Sequence, residues 1–148
     1  MNRIKIFLSF LTFLIFFGCS IPTDFYIQNF TNDFKIIKIK YNIKLVNEFN
    51  NDSSETLRFY YKNEIINPKD FKDNKKGELK VLEKSIKSDS IIVLKLFPKS
   101  TTRIVKTLNY RWLHWLIESI EIDNEKIEIK KIASKSKRIK KDYLYQIK

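Results

Sequence analysis

Glycine is almost missing from this 148-residue chain: only Gly18 and Gly77 occur. No phosphate-cradling glycine loop can be written from Gly77 alone. Cysteine occurs once, as Cys19, which excludes an intrachain disulfide and a cysteine-based zinc site. Histidine also occurs once, as His114, so histidine-rich metal sites and multi-histidine catalysis are excluded as well. No nucleophile motif is present, and Asp70 and Asp73 form a carboxylate pair in a polar stretch where nothing orients them. The sequence therefore assigns no catalytic residue, no metal and no cofactor, and no small-molecule substrate is evident. Internal repeats and low-complexity segments are absent too.

Apolar material is plentiful. The chain is 43% hydrophobic and 14% aromatic, enough to bury the core of one domain. Its net charge is +12, from 29 Lys and Arg against 17 Asp and Glu. Lysine shares AT-rich codons with isoleucine, asparagine and phenylalanine, which also crowd the chain. Genome base composition and a functional basic surface thus both remain open as sources of the charge, which by itself speaks to solubility and encounter.

The first residues have an order of their own. Arg3 and Lys5 precede an apolar run from Ile6 to Phe17, interrupted only by Ser9 and Thr12. A bilayer-spanning helix needs about 20 apolar residues, so this run is short for an anchor and the right length for a signal-peptide core. Phe16-Phe17-Gly18-Cys19-Ser20 follows. This segment resembles the lipobox of bacterial lipoproteins, with Gly18 as the small residue before the cysteine. The resemblance implies that the Cys19 thiol receives a diacylglyceryl group, that cleavage falls just before it, and that the new amine is acylated. Residues 1–18 would be the signal peptide, with its signal helix, and 19–23 a short acylated tether. Two or three acyl chains hold firmly, at about 0.8 kcal/mol per buried CH₂. The other reading of Cys19 is an ordinary thiol at the end of an uncleaved membrane helix. Loss of Arg3 and Lys5 leaves a net charge of +10, so the mature protein stays basic. Ser20 stands where an aspartate is associated with inner-membrane retention, which points to the outer membrane if the host has one. Nucleic acid is not an expected partner, because an exported protein meets little of it.

Residues 24–148 read as a mainly β domain: an antiparallel β-sandwich, immunoglobulin-like or a small open barrel, of about seven or eight strands with one or two short helical turns. The clearest strand signal is Ile37, Ile39, Tyr41, Ile43 and Leu45 alternating with Lys38, Lys40, Asn42 and Lys44. Other strands are expected at Asp24–Phe30, Leu57–Tyr61, Ile91–Phe97, Thr101–Leu108 and Tyr143–Ile147. A helical turn is expected near Phe71, and a short helix within Gly77–Lys87 from the spacing of Leu79, Leu82 and Ile86. With Asn124-Glu125 as a two-residue turn, Ile120 and Ile122 pair with Ile129 and Ile127, which sets Glu121 opposite Glu128.

Two segments carry candidate binding residues. Tyr110, Arg111, Trp112, His114 and Trp115 lie close together in sequence. Tyr110, Trp112 and Trp115 are a candidate aromatic patch for a sugar, a peptide or a lipid headgroup. The competing reading has one or both tryptophans plugging the end of the domain. Lys126–Lys141 is the basic segment, with Lys130, Lys131, Lys135, Lys137, Arg138, Lys140 and Lys141 as candidates for an anionic surface; Ala133, Ser134 and Ser136 read as a loop in its middle. A solvated hairpin loop is the alternative. The expected function is non-catalytic binding or scaffolding at the membrane surface, through anionic headgroups or an envelope protein. The alternative is a signal-anchored accessory subunit of an export, adhesion or defence complex that uses the aromatic patch.

Overall fold

A computed structural model of the protein describes residues 20–42, 58–73, 78–88 and 90–148. Ile43, Leu45, the Asn47–Ser54 stretch, Gly77 and the whole of 1–19 lie outside the described residues. The described chain is mainly β. Its strands are β1 (Pro22–Asn29), β2 (Lys35–Tyr41), β3 (Phe59–Lys62), β4 (Lys80–Leu82), β5 (Lys84–Ser88), β6 (Ile91–Leu96), β7 (Ser100–Leu108), β8 (Ile117–Ile122), β9 (Glu125–Glu128), β10 (Lys137–Ile139) and β11 (Asp142–Ile147). Two short helices, α1 (Pro68–Asp73) and α2 (Ile129–Lys135), and a single π-helical turn at Trp112–Leu116 complete it. One sheet runs β10-β11-β1-β7-β3-β4 and the other β5-β6-β2-β8-β9.

Both sheets contribute to one core. Phe25 and Ile27 of β1 join Ile37 and Ile39 of β2, Leu94 of β6 and Ile120 of β8 in a single buried cluster. β2 follows its alternation: Ile37, Ile39 and Tyr41 are buried, while Lys38 and Lys40 reach outward to Glu121 and Glu118. β1 has no such alternation because both its faces are covered. Phe25 and Ile27 face the main core, and Tyr26 packs with Phe71 of α1 and Leu144 of β11 in a second, smaller cluster. The Tyr26 and Phe71 rings meet edge-on at 5.1 Å. That placement confirms the helical turn expected at Phe71 and gives it a purpose, since it roofs the outer face of β1.

Several expectations are corrected. Eleven strands are described instead of seven or eight. The pairing is not purely antiparallel: β1 and β11 run parallel, Phe25 opposite Tyr143 and Asn29 opposite Ile147. Where a short helix is expected within Gly77–Lys87, the described residues Lys80–Ser88 supply β4 and β5; the two strands edge different sheets, so the chain changes sheet at Glu83. The spacing of Leu79, Leu82 and Ile86 misled because only Leu82 of the three is buried.

The β8–β9 hairpin turns one residue earlier than expected, at Asp123-Asn124, both with positive φ (49° and 69°). This suits a two-residue primed turn, for which Asp and Asn are favoured. Ile120 then pairs with Ile127, and Glu121 faces Lys126 instead of a second glutamate. Ile129 is released to begin α2, where it and Ile132 are buried. The Ala133–Ser136 stretch expected as loop is thus mostly helix, with the Ser136 hydroxyl donating to the Ile132 carbonyl at 2.8 Å as the helix ends. The first strand starts two residues before the expected Asp24: β1 begins at Pro22, and Thr23 is buried.

Candidate functional site

Strand register defines the end at which the chain enters the domain. Pro22 pairs with Leu108, and Phe25 with Tyr143, so the start of β1, the end of β7 and the start of β11 lie together. Ile21 is held there by a reciprocal pair of bonds: its N–H donates to Asn109 Oδ1 at 2.8 Å and its carbonyl accepts from the Asn109 N–H at 2.8 Å. Asn109 and Tyr110 both have positive φ (51° and 58°), which is costly for an aromatic residue. Tyr110 is secured by its N–H donating to Thr23 Oγ1 at 3.1 Å and by Arg138, whose guanidinium donates to its hydroxyl at 2.9 Å.

The two candidate segments meet in that contact. Arg138 of the basic segment lies over the rings of Tyr110 and Tyr143 at 5.6 and 5.8 Å. Lys140 and Lys141 form the exposed β10–β11 turn next to Asp142, hence at the entry end. Lys137 is exposed at the opposite end of short β10, while Lys130, Lys131 and Lys135 are exposed on α2. The seven cations are therefore spread over a helix, a strand and a turn, and they do not form one loop.

The aromatic patch does not hold together. Trp112 is fully buried, stacked on Phe25 at 4.5 Å with 9° between the rings and edge-on to Tyr143 at 5.2 Å. Trp115 is 58% exposed. The π-helical turn, with its wider spacing, separates the two. His114 is exposed beside Trp115. Trp115 and His114 border a groove of about 360 Å³ whose other walls come from Asn42, the start of β8, the end of β9 and the start of α2. Leu108, 43% exposed, adds an apolar side chain at the same end.

A buried charged group lies beneath this end. Asp24 and Asp142 are both buried, and Lys72 of α1 reaches them across the sheet surface. The Lys72 ammonium donates to both Asp142 oxygens, at 2.9 and 2.7 Å, and stands 3.7 Å from Asp24. Tyr26 donates to Asp24 at 2.9 Å, and the Asp24 N–H donates to Asp142 at 3.0 Å. Asp24 Oδ1 has no hydrogen-bond partner among the described residues. Burial raises the Asp24 pKa above 3.8 despite Lys72, Tyr26 and Arg103, which lower it; Asp142 adds to the rise. The Tyr26 hydroxyl is pushed up strongly by burial and by Asp24. Spacing could not reveal this group, because 118 residues separate Asp24 from Asp142. The one local signal was a carboxylate inside the otherwise strand-like run Asp24–Phe30.

The sign of the pH effect follows. With its folded pKa above the unfolded value, Asp24 holds a proton more tightly in the folded state. Its contribution to stability is therefore lost as pH rises from about 4 through that raised value. Asp24→Asn keeps an acceptor for Tyr26 and removes the buried charge. Urea unfolding is expected to show the variant gaining stability relative to wild type as pH rises from 4 to 7, because it carries no carboxylate that must ionise in a buried site. A variant that instead loses stability relative to wild type as pH rises would show that Lys72 more than offsets the burial of the carboxylate.

Among the described residues no helix is long and apolar enough to cross a membrane, and no cluster of three or more His, Cys, Asp or Glu could hold a metal ion. Compared with known protein families, curated proteins and solved structures, the chain shows no match.

Proposed function

We propose that this protein is an envelope lipoprotein, acylated at Cys19, whose entry end rests on anionic headgroups and which binds or scaffolds there without catalysis. The two sheets, on this reading, pack face to face as a sandwich standing on that end. One observation carries the proposal: Ile21 is fixed to Asn109 by two hydrogen bonds, which leaves Ser20 alone between Cys19 and anchored backbone. At about 3.5 Å per residue, so short a link keeps the entry end within a few ångströms of an acylated cysteine. Lys140, Lys141, Arg138 and the exposed Leu108 and Trp115 are on or near that end, a mixture of cations and apolar side chains suited to a headgroup layer. The alternative, a protein partner gripped by the aromatic patch, would have to use Tyr110 and Trp115 without Trp112.

The test uses residues 20–148, freed of the acyl group, in sedimentation with vesicles. Binding to anionic but not neutral vesicles is expected, weakening as salt rises. Arg138→Gln, Lys140→Gln and Lys141→Gln together are expected to cost about 3 kcal/mol, a loss on the order of a hundredfold. Neutralising Lys80 and Lys95, which lie toward the opposite end, is expected to change binding by no more than about twofold. Equal losses from both sets would mean that net charge acts without orientation, and the seating would be wrong.

A further inference from the structure

We infer that the groove beside Trp115 is a site for a zwitterionic aminophospholipid headgroup, one bearing a phosphate diester and a primary ammonium. The inference rests on the seating proposed above. The groove, about 360 Å³ and open to solvent on one side, has room for a headgroup. Its charged lining has both signs: Lys126 and Lys130 against Glu118 and Glu128. Glu118 is already paired with Lys40 at 2.7 Å. Lys126, Lys130 and Glu128 make no ion pair with another described residue. All three are exposed, so their charges are available to a ligand at little desolvation cost.

Charge complementarity selects the occupant. An anion alone would gain Lys126 and Lys130 but sit beside the unpaired Glu128 carboxylate, and a cation alone would gain Glu128 but sit beside two ammonium groups. A molecule carrying both charges pairs its phosphate with the lysines and its ammonium with Glu128, at hydrogen-bond strength because an –NH₃⁺ group donates. A quaternary ammonium has no N–H to give and is recognised by several Trp, Tyr or Phe faces; Trp115 is the one residue of those types in the lining. The location fits as well. The groove lies where β2 ends, where β8 begins and where the π-helical turn leads in from β7, so it opens at the end that the seating turns toward the membrane. Trp115, half exposed at its rim, suits the boundary between headgroups and acyl chains.

The experiment titrates the full chain, in non-ionic detergent micelles, with short-chain phosphatidylethanolamine while tryptophan emission is followed. Trp112 is buried, so the solvent-sensitive change reports on Trp115. A saturable blue shift is expected with phosphatidylethanolamine, and none at matched concentrations of phosphatidylcholine. Phosphatidylglycerol, which has the phosphate without the amine, is expected to bind at least tenfold more weakly. Glu128→Gln and Lys130→Gln are each expected to weaken the phosphatidylethanolamine response about tenfold; both positions are exposed, so the fold should be kept, as circular dichroism would check. Equal responses to all three lipids, or a Glu128→Gln variant that titrates like wild type, would overturn the site. Sedimentation with anionic vesicles separates this from the seating. If that binding fails while the titration succeeds, the groove stands and the basic seating falls; the reverse result removes the groove alone.

Discussion

Trp112→Ala is expected to destabilise the domain by about 3–5 kcal/mol, a large part of the roughly 5–15 kcal/mol that holds a domain of this kind folded. Trp112 is the largest fully buried side chain, and its ring closes the core at the entry end by stacking on Phe25 and meeting Tyr143 edge-on. Alanine would leave a cavity that these rigid rings cannot fill. Trp112→Phe is expected to cost much less. It keeps a ring on Phe25 and removes the indole N–H, which is buried and has no hydrogen-bond partner among the described residues. Trp115→Ala is expected to fall within about 0.5 kcal/mol of wild type, as for most exposed positions. Urea midpoints of the three variants check the series. A Trp115→Ala loss as large as that of Trp112→Ala would contradict the division of the pair into one core residue and one surface residue.

Cys19→Ser is expected to abolish incorporation of an alkyne fatty acid completely and to leave a precursor that retains residues 1–18. No other residue of the chain has a thiol to take the diacylglyceryl group, so residual label of any size would count against the lipoprotein reading. Label absent from well-expressed wild type would remove the basis for acylation and leave an anchor helix or another form of signal. The same experiment bears on the seating. With no acyl group at Cys19, the single-residue link through Ser20 would no longer bring the entry end to a bilayer by itself.

Short-range features were legible in the sequence. The β2 alternation was visible because one face of that strand is buried and the other carries lysines, and a period of two survives any tertiary arrangement that keeps the strand half-covered. Phe71 and the turn around it were visible as well. The β8–β9 register was read two residues off because Asp123-Asn124 and Asn124-Glu125 are both polar pairs in a plausible turn position. The structure places the left-handed pair at Asp123-Asn124, which brings Lys126 opposite Glu121 and avoids two facing glutamates. β4 and β5 were misread because edge strands bury little, so helix-like spacing there had no core behind it.

By itself the sequence determined a β-rich chain, the resemblance of its first twenty residues to a lipoprotein signal, and the exclusion of disulfide and cysteine–zinc chemistry. Each of these depends on composition or on residues near one another in the chain. Only the tertiary structure decided that Trp112 and Trp115 part company, that Arg138 comes to rest on Tyr110, and that Asp24 and Asp142 share Lys72. The parallel pairing of β1 with β11 accounts for much of this. It joins the two ends of the domain's sequence, so the entry point of the chain and its last charged turn occupy one surface that no local pattern could show.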